Sequence, residues 1–261
     1  MAGDRACYDR VILEGGILPE KVDLLLNFVD IERFKRRQAL PIKPQRALIF
    51  SHALKNPDNL EAIGSALEEC GISCDVIGRA SGNICAQPEA VLHNYDIVFA
   101  IARSALEALA VGTSVVLCDE QGLGPMVTSA NMDRLRPLNF GSRALTRTIE
   151  KALVMEEIAK YDSEDAQRVS DNIRSIAGID MMVDKLLHIY ENVIHAYKDG
   201  NETGGLTEER QATALYLQQW MSRLESQLPS VKRLKELVKR AETESGVKQS
   251  KYSIARYATL V

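Results

Sequence analysis

No stretch of this sequence stays apolar long enough to cross a bilayer, and the first twenty residues are broken by Asp4, Arg5, Asp9, Arg10 and Glu14, so nothing there reads as a signal peptide. Positive charge is not in surplus either. The 32 Lys and Arg against 36 Asp and Glu leave a formal charge of -4, which excludes the broad basic field that drives binding to nucleic acid or anionic membrane. Paired cysteines are missing: Cys7, Cys70, Cys74, Cys85 and Cys118 are odd in number and form no double CxxC set, so they read as reduced thiols in a cytoplasmic chain. His93, His188 and His195 stand at no ligand spacing with cysteines or acids, and no metal is expected. Internal repeats are also absent.

What remains is ordinary globular composition, 46% hydrophobic and 26% charged, with length for one large or two small cores. Short apolar runs bounded by polar residues predict buried strands at 46–50, 96–100 and 114–118, with a shorter one at 74–77. Helical spacing predicts helices over 59–70, 88–95 and 103–111, stopping near Gly71 and Gly112. Strands alternating with helices and apolar on both faces imply an α/β fold, a Rossmann-like parallel sheet with flanking helices. Such sheets bind ligands at the carboxyl ends of their strands, which singles out the loops 51–58, 78–87, 100–104 and 119–128.

Ahead of this block, 22–27 reads as a further strand leading into the basic segment 33–37, taken as a solvated linker face. Beyond residue 143 strand signals fade, and 143–161, 163–177 and 180–197 read as helices. The glycine-rich stretch at 198–205 is a break. After it Leu217, Trp220, Met221, Leu224 and Leu228 form an apolar stripe, and Pro229 opens a second helix with Val231, Leu234, Leu237 and Val238 on its buried side. The expected organisation is a connector with the first sheet elements at 1–45, a ligand-binding Rossmann-like domain over 15–200, and a C-terminal helical extension at 206–261, suited to packing or helix-mediated self-association.

The segment 95–119 carries the most chemistry: a strand enters a helix that bears one acid, Glu107, and Gly112 leads on to the next strand. A carboxylate accepts two hydrogen bonds from a vicinal diol, so Glu107 suits a ribose. The amides near Ser104 at the helix start, with Arg103, suit phosphate oxygens. His52 and Lys55 lie in the loop after the first strand, and Arg79 in the loop after the second. Gly122 and Gly124, in a glycine-containing loop after the 114–118 strand, would let backbone amides approach a diphosphate or sugar, or else simply permit a tight turn.

The run Glu107-Ala108-Leu109-Ala110-Val111-Gly112 followed by Val115-Val116 resembles the donor-binding, C-terminal domain of retaining glycosyltransferases of the GT-B fold, which read Glu-Ala-Met-Ala-x-Gly before a Pro-Val-Val strand. Gly16-Ile17-Leu18-Pro19, then Asn27-Phe28-Val29-Asp30 and Phe34, is similar to the connector entering that domain. The resemblance runs from about Gly15 to Tyr197. It implies one lobe of a nucleotide-sugar-dependent transferase, with Glu107 holding the ribose and the donor's UDP- or GDP-linked sugar passing to an acceptor. The donor is a substrate, and no separate cofactor is implied.

The sequence departs from that family in two places. Many members carry a second acid eight positions before the ribose-binding one, near the transferred sugar; here that position is Phe99, and no catalytic residue is assigned. The basic pair that grips diphosphate is also not evident. About forty residues precede the first confident strand, too few for an acceptor lobe. The expectation is therefore of a donor half working with an N-terminal lobe or a partner chain. A catalytically inactive nucleotide-binding or scaffold protein, or a related nucleotide-sugar epimerase, are the alternatives.

Overall fold

The computed structural model describes residues 1–198, 210, 211, 213–218, 220 and 221. The chain divides into two compact units, Met1–Val193 and Ile194–Val261. In the first, α1 (Arg5–Leu13) precedes β1 (Arg46–Phe50), α2 (Pro57–Glu69), β2 (Ser73–Ile77), β3 (Ile97–Ala100), α3 (Ala102–Val111), β4 (Ser114–Asp119) and β5 (Gly122–Met126). Then come α4 (Met132–Leu135), α5 (Lys151–Ile158), α6 (Ser163–Ile176) and α7 (Ile179–Lys198), the last running across the division between the units.

The strands form one sheet of order β2-β1-β3-β4-β5, parallel except for β5, which returns antiparallel along β4. Both faces are covered, which is why β1, β3 and β4 are continuous apolar runs rather than alternating ones. On one face Ile63, Ala66 and Leu67 of α2 and Val154 and Ile158 of α5 pack on Ala47, Ile49, Ile97, Phe99 and Val116. On the other, Leu106 and Leu109 of α3 and Val169 and Ile173 of α6 pack on Leu48, Phe50, Val98, Ala100, Val115 and Leu117. The chain is thus an α/β fold with a Rossmann-like, mostly parallel sheet between helices. β1 connects outward to β2, whereas β3 lies on its other side, so the strand order reverses between β1 and β3. In open sheets of this kind that is where a crevice opens at the carboxyl ends.

The helices begin and end on readable signals. Asn56 caps α2 through the amide of Asp58, Asp162 caps α6 through Glu164 and Asp165, and Gly112 closes α3 in the left-handed region at φ 96°. Before β1 the connector is tied down by Asp96, whose carboxylate accepts from the amides of Gln45 and Arg46 at 2.8 and 3.1 Å and pairs with Arg37 at 3.1 Å.

Four sequence expectations are corrected here. Residues 22–27 form no strand; their one ladder contact is an isolated bridge from Leu24 to Ala2. Residues 88–95 form two short 3-10 turns, Pro88–Ala90 and Leu92–Asn94, because Val91 at φ -116° breaks the helical path between them. Of 143–161, only Lys151–Ile158 is α-helix; the β-branched Thr146, Thr148 and Ile149 lie in the extended stretch that precedes it. Residues 119–127 are not an open loop but a hairpin whose second arm is β5. In the expected tail, Leu217, Trp220 and Met221 are helical. Leu224, Leu228, Val231, Leu234, Leu237 and Val238 lie outside the described residues.

Candidate functional site

The carboxyl edge of the sheet is built from three strand ends that hydrogen-bond to one another. Ser51, just past β1, donates from Oγ to Asp119 at the end of β4 at 2.5 Å, and its Oγ accepts the amides of Ala53 and Leu54. Glu120, next in the hairpin, accepts the amides of Lys55 and Asn56 at 2.9 and 3.2 Å, which holds its carboxyl below the usual range. His52 Nδ1 accepts the amide of Arg79 at 3.2 Å, joining the loops after β1 and β2. The side chains of His52, Lys55 and Arg79 are exposed at this edge. Gly78 is obligatory at the junction, since a Cβ there would lie 1.7 Å from the carbonyl oxygen of Ser51.

Between these loops β3 runs into α3 with almost no turn. Ala102 makes the reversal by taking a left-handed backbone, φ 51°, and its amide donates to the carbonyl of Phe140 at 2.9 Å. Ile101 provides no side-chain cap, so the first amides of α3, around Arg103 and Ser104, lack intrahelical partners and present the positive end of the helix. Arg103 is exposed and Ser104 half-buried.

One turn further, Glu107 is half-buried and forms no hydrogen bond or ion pair among the described residues. Burial pushes its carboxyl above the ordinary range; the charges of Arg103 and Arg33 pull it back, and Glu89 adds repulsion. Arg33 and Glu89 form a bidentate pair, Nε to Oε1 at 2.9 Å and Nη2 to Oε2 at 3.0 Å, joining the connector to the 3-10 turn at Pro88–Ala90. Glu107 is therefore an open acceptor under the influence of two guanidiniums. Such a carboxylate takes hydroxyl donors, and the arginines beside it favour an anionic ligand.

The structure brings Glu107, Arg103 and Ser104 together on the first turns of α3, and Ser51, His52, Lys55, Arg79, Asp119 and Glu120 together at the strand ends. Gly122 and Gly124 join neither group. They lie buried in β5, where a Cβ would come within 2.6 Å of the Arg147 carbonyl oxygen and 2.7 Å of that of Ala144. Their missing side chains admit the 144–147 backbone, and Leu123 donates to Arg147 at 2.8 Å. Phe99, next to last in β3, is fully buried in the core on the α2 side of the sheet.

Sequence reasoning missed Arg33, Glu89 and Arg136. Arg33 stood in a basic cluster read as solvated, and its partner lies 56 residues away, beyond any local pattern. Among the described residues no group of three or more His, Cys, Asp or Glu is placed to hold a metal ion, and no helix is long and apolar enough to cross a membrane. All five cysteines are free thiols. No protein-family model matches the chain, and no curated protein matches it either.

Proposed function

We propose that this chain is the donor-binding half of a retaining glycosyltransferase of the GT-B type, which holds a nucleoside diphosphate sugar while another lobe or chain holds the acceptor. The observation that carries this reading is Glu107: a half-buried carboxylate without a partner, flanked by Arg103 and Arg33, one turn into the helix that starts at the strand-order reversal. Its two oxygens accept both hydroxyls of a ribose. The uncapped start of α3 and Arg103 then receive the diphosphate, with Lys55 and Arg79 across the strand-end loops as further cations. Stabilising the departing diphosphate is the chemistry these groups can supply. The acceptor and the sugar are not specified by them.

The test is calorimetric titration of the chain with UDP, GDP and ADP, repeated on Glu107→Ala. Saturable binding of one nucleotide, weakened by about 1–3 kcal/mol in the variant, is the expected result. If none of the three binds the native chain, the donor-lobe reading is wrong.

A second reading, a nucleotide-binding protein without transferase activity, is favoured by the short β3–α3 junction. Phe99 is packed in the core, and no acid lies between the end of β3 and Ala102. Under that reading nucleotide binding survives and donor turnover is absent even with an acceptor lobe supplied.

A further inference from the structure

Arg136 is 5% exposed, yet no carboxylate pairs with it among the described residues. Its Nη1 donates to the side-chain oxygen of Asn139 at 2.9 Å and its Nη2 to the carbonyl of Asn27 at 2.6 Å; its Nε is buried with no partner. Burial pulls its pKa down to about 10, so the group remains a cation at neutral pH. A full positive charge in the interior without a counter-ion is costly. Joining Asn27 to Asn139 would need only a neutral donor, so the charge itself requires an explanation.

Its surroundings supply one. Asn139 also accepts the amide of Asn27 at 3.0 Å and donates to the carbonyl of Gly3, clamping the connector. The next residue, Phe140, accepts the amide of Ala102, the first residue of α3. Arg136 is thus joined to the start of α3 by a short path: one hydrogen bond to Asn139, then one residue to the carbonyl that receives the Ala102 amide. The helix end and the buried cation have the same sign, so each favours an anionic ligand.

We propose that Arg136 is a positioning residue for the diphosphate of the bound nucleotide, acting through the start of α3 without touching the ligand. This inference rests on the donor-lobe reading. A neutral side chain at 136 should release the fold from a buried charge while costing the anion part of its attraction, so stability and affinity move in opposite directions.

The experiment titrates the full chain, Arg136→Met and Arg136→Lys with the preferred nucleoside diphosphate, its nucleoside and inorganic pyrophosphate, and records Tm for each. Arg136→Met is expected to keep or raise Tm, to bind the nucleoside within about twofold of the native chain, and to lose about tenfold in affinity for the diphosphate and pyrophosphate. Arg136→Lys should recover most of that loss. Unchanged diphosphate affinity in a folded Arg136→Met, or a parallel fall in Tm and in nucleoside and diphosphate binding, overturns the proposal. If Arg136→Met does not fold, Arg136→Gln, which keeps a neutral donor, decides: lost pyrophosphate affinity with nucleoside binding kept supports the proposal, and retained pyrophosphate affinity overturns it. If the native chain binds no nucleotide, the donor-lobe reading falls and takes this inference with it, whereas native binding that Arg136→Met leaves intact sinks the inference alone.

Discussion

The amide of Ala102 donates to the carbonyl of Phe140 at 2.9 Å, and the two residues share a left-handed backbone, at φ 51° and 52°. Neither is glycine, so each costs about 1–2 kcal/mol of local strain, and the strain is concentrated where β3 turns into the candidate anion-binding end of α3. Glycine at 102 removes that strain but adds unfolded-state entropy of about 0.5–1 kcal/mol. Ala102→Gly is therefore expected to be neutral or stabilising by up to about 1 kcal/mol, and Ala102→Val to destabilise by about 1–2 kcal/mol. Urea unfolding of both variants checks the pair, and a destabilised Ala102→Gly would show that the turn is unstrained.

Glu107 gives opposite signs for stability and binding. Its carboxyl is raised above the ordinary range by burial, so the folded state holds the proton more tightly than the unfolded chain does. The ionised form therefore weighs against folding at neutral pH, and stability attributable to this group grows as the pH falls through its raised pKa. Glu107→Gln is expected to raise Tm at pH 7, with the gain closing below the unfolded carboxyl pKa of about 4.3. Nucleotide affinity in the native chain should weaken on acidification at a higher pH than an ordinary glutamate would dictate. In Glu107→Gln the affinity should be low and nearly flat over that interval.

How far the sequence reveals this arrangement depends on the range of the interactions that make it. β1, β3 and β4 are legible because burial on both faces demands continuous apolar runs, and α2, α3 and α6 because their caps and spacing are local. β5 is not legible: Gly122-Leu123-Gly124-Pro125-Met126 has no strand propensity, and it becomes a strand because β4 on one side and the 144–147 backbone on the other pair with it. Glu107 stands out because it is the lone acid of the helix that follows a buried strand. Its companions Arg33 and Glu89, and the buried cation Arg136, depend on contacts 56 and 109 residues apart and leave no periodic trace.

The glycines of β5 offer a contrast with one elsewhere. At Gly124 a Cβ would stand 2.7 Å from the Ala144 carbonyl oxygen and 2.9 Å from Leu117 Cβ, contacts between buried groups that cannot swing away. Gly124→Ala is expected to cost about 2–3 kcal/mol. Gly64 lies within α2 with nothing within 4 Å of its added Cβ, so Gly64→Ala should stabilise by about 0.5–1 kcal/mol. Denaturant midpoints for the two measure whether the hairpin glycines serve packing; an innocuous Gly124→Ala would leave that space open for another role.

Asp96 joins the connector to the sheet by a set of contacts that substitutions can separate. Its carboxylate accepts the amides of Gln45 and Arg46 and neutralises Arg37, which is itself largely buried and donates to the carbonyl of Tyr95. Asp96→Ala removes three acceptor contacts and leaves Arg37 without its anion, a loss of about 3–5 kcal/mol. If the unpaired cation dominates that loss, Asp96→Ala combined with Arg37→Met should be less destabilised than Asp96→Ala alone. The connector carries Arg33 toward Glu107, so Asp96→Ala should also weaken nucleotide binding in the fraction that remains folded. Were the double variant no better than the single one, the amide contacts at Gln45 and Arg46, rather than the ion pair, would be what fixes the connector against β1.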